Sequence, residues 1–116
     1  MNHTYKLNDL VSLKRENGEY HLEPNYNLLG ELEKRGTDYY HSDNKLEFGV
    51  LDGFAGLYVT LVNRRDDVVI IEYHDEYVSM YKLARWGDVK DMVAVVCDET
   101  CSVRTPNKDE FDIVSE

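Results

Sequence analysis

The sequence predicts a mainly β fold: a small, strongly bent antiparallel sheet or barrel with one short helix near residues 27–35. Three observations carry this. From Leu46 onward, short apolar runs recur with alternating positions, as in Leu57, Val59 and Leu61 against Tyr58, Thr60 and Val62. Turn dipeptides punctuate them, Asn17-Gly18 near the start and Asp52-Gly53 in the middle. Helical spacing is clear at one place only, Leu28, Leu29 and Leu32. An α+β sheet packed by that helix is the competing architecture.

Taken in order, Tyr5, Leu7, Leu10, Val11 and Leu13 surround a bend at Asn8-Asp9. A strand from Leu10 to Arg15 then turns at Glu16-Asn17-Gly18 and returns over Glu19 to Glu23. Pro24 precedes the helix, Asn27 is placed to cap it, and Lys34-Arg35 fall in its last turn. Gly36 offers the left-handed stop. Residues 37–45 are polar and read as a loop carrying Tyr39-Tyr40-His41. Strands follow at 46–51, 57–62 and 68–74, the last opening with the continuous run Val68-Val69-Ile70-Ile71 of a doubly covered strand. Tyr77 to Leu83 reads as another strand, broken at Trp86-Gly87-Asp88, and Met92 to Cys97 as the last clear one. Phe111, Ile113 and Val114 offer a short edge strand within an acidic tail, residues 105–116, expected to fray.

The chain has 116 residues, enough for one domain with its own core. No run approaches the ~20 apolar residues of a membrane span. The opening Met-Asn-His-Thr-Tyr-Lys lacks the apolar stretch of a secretory signal, so the expected compartment is the cytoplasm. Cys97 and Cys101 stand in C-x3-C spacing without a second pair, which suits two reduced, apolar thiols better than a zinc half-site. The four histidines are widely spaced, and no metal or cofactor is expected.

Charge is the most informative quantity. The formal net charge is −10, and it is unevenly spread: residues 1–36 carry five bases and six acids, residues 37–116 eight bases and 17 acids. Such a chain repels phosphates, so direct nucleic-acid binding is not expected. Asp66 and Asp67 flank one end of the strand at 68–74, and Glu72, Asp75 and Glu76 gather at the other. This set is either a solvated rim or a patch that meets a basic groove by electrostatic complementarity. Nine tyrosines add to the picture, because tyrosine brings large area and a polar tip to binding surfaces. Tyr39-Tyr40 stand out, since two adjacent rings in a polar loop do not both enter one core.

The segment from Tyr5 to Leu13 resembles the opening strand of SH3-like barrels. Phe48 to Gly53, with 57–63 and 68–74, is similar to their central hairpins. The resemblance implies a barrel over about half the chain, with 24–45 as an insertion. In style, a small acidic Tyr-rich chain also resembles the accessory proteins with which phages inhibit host machinery.

Catalytic patterns are missing: there is no G-x-S-x-G elbow, no phosphate loop, no G-x-G-x-x-G and no H-E-x-x-H. The best enzyme candidate is a metal-dependent nuclease built on Asp52, Glu72 and His74, with the last two on one face of a strand. The restriction-endonuclease pattern that it vaguely resembles expects a lysine at His74. The sequence therefore favours a non-enzymatic binding protein, a phage-type inhibitor. It would occupy a basic surface of a nucleic-acid-handling host protein through Tyr39, Tyr40, Asp66, Asp67, Glu72, Asp75 and Glu76. An SH3-like adaptor or structural subunit, pairing with its own kind or within a complex, is the second class, and the metal nuclease the third.

Overall fold

The computed structural model describes residues 3–50, 55–74, 79–98, 100, 102–106 and 110, residue 50 by its backbone. The chain runs β1 (His3–Lys6), α1 (Leu7–Leu10), β2 (Val11–Glu16), β3 (Glu19–Pro24), α2 (Tyr26–Glu33), β4 (Thr37–Ser42), β5 (Lys45–Val50), β6 (Gly56–Leu61) and β7 (Val68–His74). It continues through β8 (Ser79–Arg85), α3 (Trp86–Val89), β9 (Val93–Cys97) and β10 (Val103–Arg104). The mainly β class is as the sequence predicts.

The strands form three antiparallel sheets, not a closed barrel. The largest is a linear five-strand meander, β4-β5-β6-β7-β8. The second is the hairpin β2-β3, and the third is β1-β9-β10. Strands β5, β6 and β7 pair in succession as antiparallel neighbours. Among the described residues β4 and β8 lie at the two ends of this sheet and pair only inward, so it is open.

Local chemistry explains most elements. The β2-β3 hairpin turns on Asn17 and Gly18, both at positive φ (54° and 80°), which matches the twist of a two-residue hairpin. The cap of helix α2 lies two residues before the expected one: Asn25, not Asn27, accepts the Leu28 N–H on its side chain at 3.2 Å. The helix ends at Glu33, so Lys34-Arg35 follow it, and Gly36 at φ 99° turns the chain into β4. The bend at Asn8-Asp9 is a single helical turn, α1, held by the Lys6 N–H donating to the Asp9 carboxylate at 2.8 Å. Trp86-Gly87-Asp88 is likewise a turn of helix, with the Trp86 N–H on the Asp67 carbonyl at 2.8 Å.

Two expectations need correction. Residues 37–42 are a strand, not a loop, joined to β5 through the two-residue turn Asp43-Asn44. The run at Val68 to Ile71 is covered on one face only: Val69, Ile71 and Tyr73 are buried, whereas Val68, Ile70, Glu72 and His74 are half-exposed. The doubly covered strand is instead β9, where Ala94 to Cys97 are all buried between β1 and β10.

One hydrophobic cluster draws on all three sheets and all three helices, from Leu7 and Leu10 through Leu29, Phe48, Leu57 and Ile71 to Trp86 and Val95. The five-stranded sheet gives it one face, leaving the other outside. Cys97 is a buried free thiol; Cys101 lies outside the described residues. So do Asp52, Asp75, Glu76 and Tyr77, as well as the proposed edge strand at Phe111, Ile113 and Val114. Among the described residues no helix is long and apolar enough to cross a membrane.

Candidate functional site: the outer face of the five-stranded sheet

In an antiparallel sheet, directly paired residues share a face. The registers here pair Tyr40 with Glu47, Glu47 with Tyr58, Tyr58 with Glu72 and Glu72 with Tyr81. A single row of alternating tyrosine and glutamate therefore crosses all five strands on the outer face. At roughly 4.8 Å per strand gap it spans about 19 Å. Each carboxylate has a ring on either side, so no two like charges stand directly opposite. Tyr40 and Tyr81, on the two edge strands, are 58% and 65% exposed, and the three inner members are half-buried.

The neighbouring row explains how the inner members are held. It reads Asp38, Gly49, Gly56, His74 and Ser79 across the same strands. The two glycines leave space, and Tyr58 leans into it over Gly56. The Tyr58 ring also meets the His74 imidazole, centroids 5.2 Å apart. His74 bridges Ser79 Oγ at 2.9 Å and Glu72 Oε2 at 3.2 Å. That chain has the order of a nucleophile relay, but the His74 and Glu72 side chains are 34% and 40% exposed. Water-excluded surroundings are what give such relays their strength, so here the chain serves to orient Glu72. On the other side of the row Lys45 reaches Glu47 Oε1 at 3.1 Å.

Two shallow hollows flank this arrangement and share Glu47 and Tyr58. One, of about 190 Å³, lies over Gly49 between Tyr40 and Tyr58, with Asp38 at its rim. The other, of about 200 Å³, lies among Lys45, Glu47, Tyr58, Thr60 and Glu72. The row beyond that one ends in Ile70 and Leu83, the latter 58% exposed.

The structure divides the predicted site residues. Tyr40 and Glu72 stand in one row. Tyr39 turns to the opposite face, where its ring packs against the core, as strand alternation requires. Asp66 and Asp67 sit at the far end of β7, and both bond Arg85 Nη1. The Asp66 carboxyl is held below the ordinary aspartate range by the hydrogen bonding it shares with the Asp67 carboxyl, then by the Asp67 N–H that it accepts, and by the charge of Arg85. Those same two carboxylates raise the Arg85 guanidinium. This end of the sheet is a charge cluster in which one guanidinium is shared by two carboxylates, separate from the tyrosine row. Sequence reasoning missed Glu47, Tyr58 and Tyr81; the signal was present in the alternation of each strand, but the cross-strand register that aligns them was not.

Glu72 and His74 share a face, as expected for the nuclease reading, and they bond each other. Among the described residues no group of three or more potential ligands gathers to hold a metal ion.

Neither the family models, nor the curated proteins, nor the solved structures matched this chain.

Proposed function

We propose that this protein is a non-enzymatic binding protein that docks the outer face of its five-stranded sheet on a basic protein surface. The observation that supports this most directly is the row Tyr40, Glu47, Tyr58, Glu72 and Tyr81, carried on a chain of net charge −10. Tyrosines supply contact area at low entropic cost. Carboxylates about 10 Å apart, two strand gaps, meet cations that otherwise face phosphates. A surface so occupied is closed to polyanions, so the consequence of docking is inhibition of a nucleic-acid-handling partner, as a phage-type inhibitor would act.

The test is capture from host lysate at low and high salt, using the native chain, the pair Glu47→Lys with Glu72→Lys, and the pair Asp66→Asn with Asp67→Asn. The expected result is a basic partner held at low salt and displaced by heparin, lost with the Lys pair and kept with the Asn pair. Capture indifferent to the Lys pair would overturn the proposal.

A second reading has its own support. Tyr81 and Leu83 are 65% and 58% exposed on the edge strand β8, and exposed apolar edges favour strand addition by another copy. It expects salt-resistant self-association in size-exclusion chromatography, abolished by Leu83→Lys.

A further inference from the structure

We infer that the hollow over Gly49 is a receptor for a single organic cation, the guanidinium or ammonium head of a partner's arginine or lysine; this rests on the docking face proposed above and identifies its anchor point. Tyr40 and Tyr58 stand on β4 and β6, on either side of Glu47. Two strand gaps separate their backbones by about 10 Å, and both residues line the hollow between them, so a cation seated there has a ring on either side for cation–π attraction. The floor between them carries no side chain, because Gly49 follows Glu47 on the same face of β5. The hollow, about 190 Å³, is several times the share of one water molecule, so a planar guanidinium fits.

Charge points the same way. Glu47 lies at the base between the rings, and exposed Asp38 stands at the rim. Lys45 Nζ holds Glu47 through Oε1, 3.1 Å away. That pair is 43% and 38% exposed, so it is the kind of surface ion pair that yields readily to a better-placed cation. Two rings, two carboxylates and a bare floor form an aromatic cage with an anionic base, which suits a weakly hydrated cation better than a metal ion or an anion.

The experiment is an NMR titration of the full chain, following the ring protons of Tyr40 and Tyr58. The probes are N-acetyl-arginine amide, its neutral isostere N-acetyl-citrulline amide, a Gly-Arg-Gly peptide and agmatine. The arginine amide is expected to give saturable shifts at both rings in the millimolar range, and the citrulline amide none. Tyr58→Leu and Glu47→Gln are expected to weaken binding about 2- to 5-fold, the size of one cation–π or exposed charge contact. Tyr26→Leu, an exposed tyrosine on α2 away from the docking face, should leave it unchanged, and preserved amide dispersion confirms that each variant folds. Equal binding of the citrulline amide, or no saturable shift, overturns the inference. Gly-Arg-Gly binding at least as tightly as agmatine supports a polypeptide source; agmatine alone binding overturns it. Failure of the arginine amide with loss of partner capture by the Lys pair would remove the cage and leave the docking face. Arginine binding with partner capture unaffected by the Lys pair would do the reverse.

Discussion

The phenol oxygen of Tyr58 lies 3.0 Å from the point where a Cβ on Gly56 would stand, and its Cζ lies 3.2 Å from it. The two residues are two apart on β6 and share the outer face, so the ring uses the space that glycine leaves. Any larger residue at 56 would compete with Tyr58 for one volume.

Gly56→Ala is thus expected to push the Tyr58 ring away from His74 and toward the hollow over Gly49. The Phe48 carbonyl, 3.3 Å from the same Cβ, is backbone and gives less readily than the ring. The expected cost is about 1 kcal/mol, the low end for overpacking, because most of the strain falls on a side chain that can move. Urea denaturation measures the cost, and the Tyr58 ring shifts report the displacement. A Tyr58 environment identical to the native one would show that glycine here serves no such purpose.

The cap of α2 separates two asparagines that look alike in the sequence. Asn25 accepts from Leu28 N–H and donates from Nδ2 to the Asp9 carbonyl at 3.1 Å, tying the helix to the turn at α1. Asn25→Ala should cost about 1 kcal/mol or somewhat more, since two bonds are lost. Asn27→Ala, an exposed site inside the helix, should be neutral or slightly stabilising on propensity alone. Thermal melts of the two variants decide it; equal losses would contradict this assignment of the cap.

That pair also shows what was legible in the sequence. The helix was visible from Leu28, Leu29, Leu32 and the Gly36 stop, since those are local signals. Its start was not, because Asn25 and Asn27 differ only in the backbone that Pro24 and β3 impose. The strand at Tyr39-Tyr40-His41 was hidden for a similar reason. Its polar composition suggested a loop, whereas its inner residues are fixed by distant partners: Tyr39 by the core and His41 by the Leu22 carbonyl at 3.0 Å. The tyrosine–glutamate row is further from view, because it exists only once four separate registers are set. By contrast Asn17-Gly18 specified its hairpin outright, as a turn needs only two residues to be recognised.

Thr37 at the start of β4 is 1% exposed, and its Oγ1 has no hydrogen-bond partner among the described residues. A buried hydroxyl without a partner is costly, whereas valine has the same shape and nothing to satisfy. Thr37→Val is expected to stabilise the protein by about 1 kcal/mol, read as a higher urea midpoint at unchanged slope. A lower midpoint would mean that the hydroxyl is satisfied after all.

Asp98 closes the connection from β9 to β10, and its ionisation couples that connection to acidity. The carboxylate accepts from the Thr100 hydroxyl at 2.7 Å, the Ser102 N–H at 3.0 Å and the Thr100 N–H at 2.9 Å. The Thr100 hydroxyl does most to hold it below the ordinary aspartate value of 3.8, followed by the Ser102 and Thr100 N–H groups and the charge of Arg104. A carboxyl lowered by folding contributes its stability in full above the unfolded value. The contribution declines as pH falls from there through the folded value, because the unfolded chain takes up the proton first. Asp98→Ala removes the acceptor at every pH, so native and variant should differ near neutrality and converge as the solution is acidified from about pH 5 to about pH 2. Denaturation midpoints of both proteins across that range measure the convergence. The loss should concentrate on β10, just before Thr105, whose hydroxyl donates to Tyr73 Oη at 3.2 Å, so hydrogen exchange of the β9-β10 pair should rise before that of the five-stranded sheet. A difference that persists undiminished into acid would mean that the turn depends on the shape of Asp98 and not on its charge.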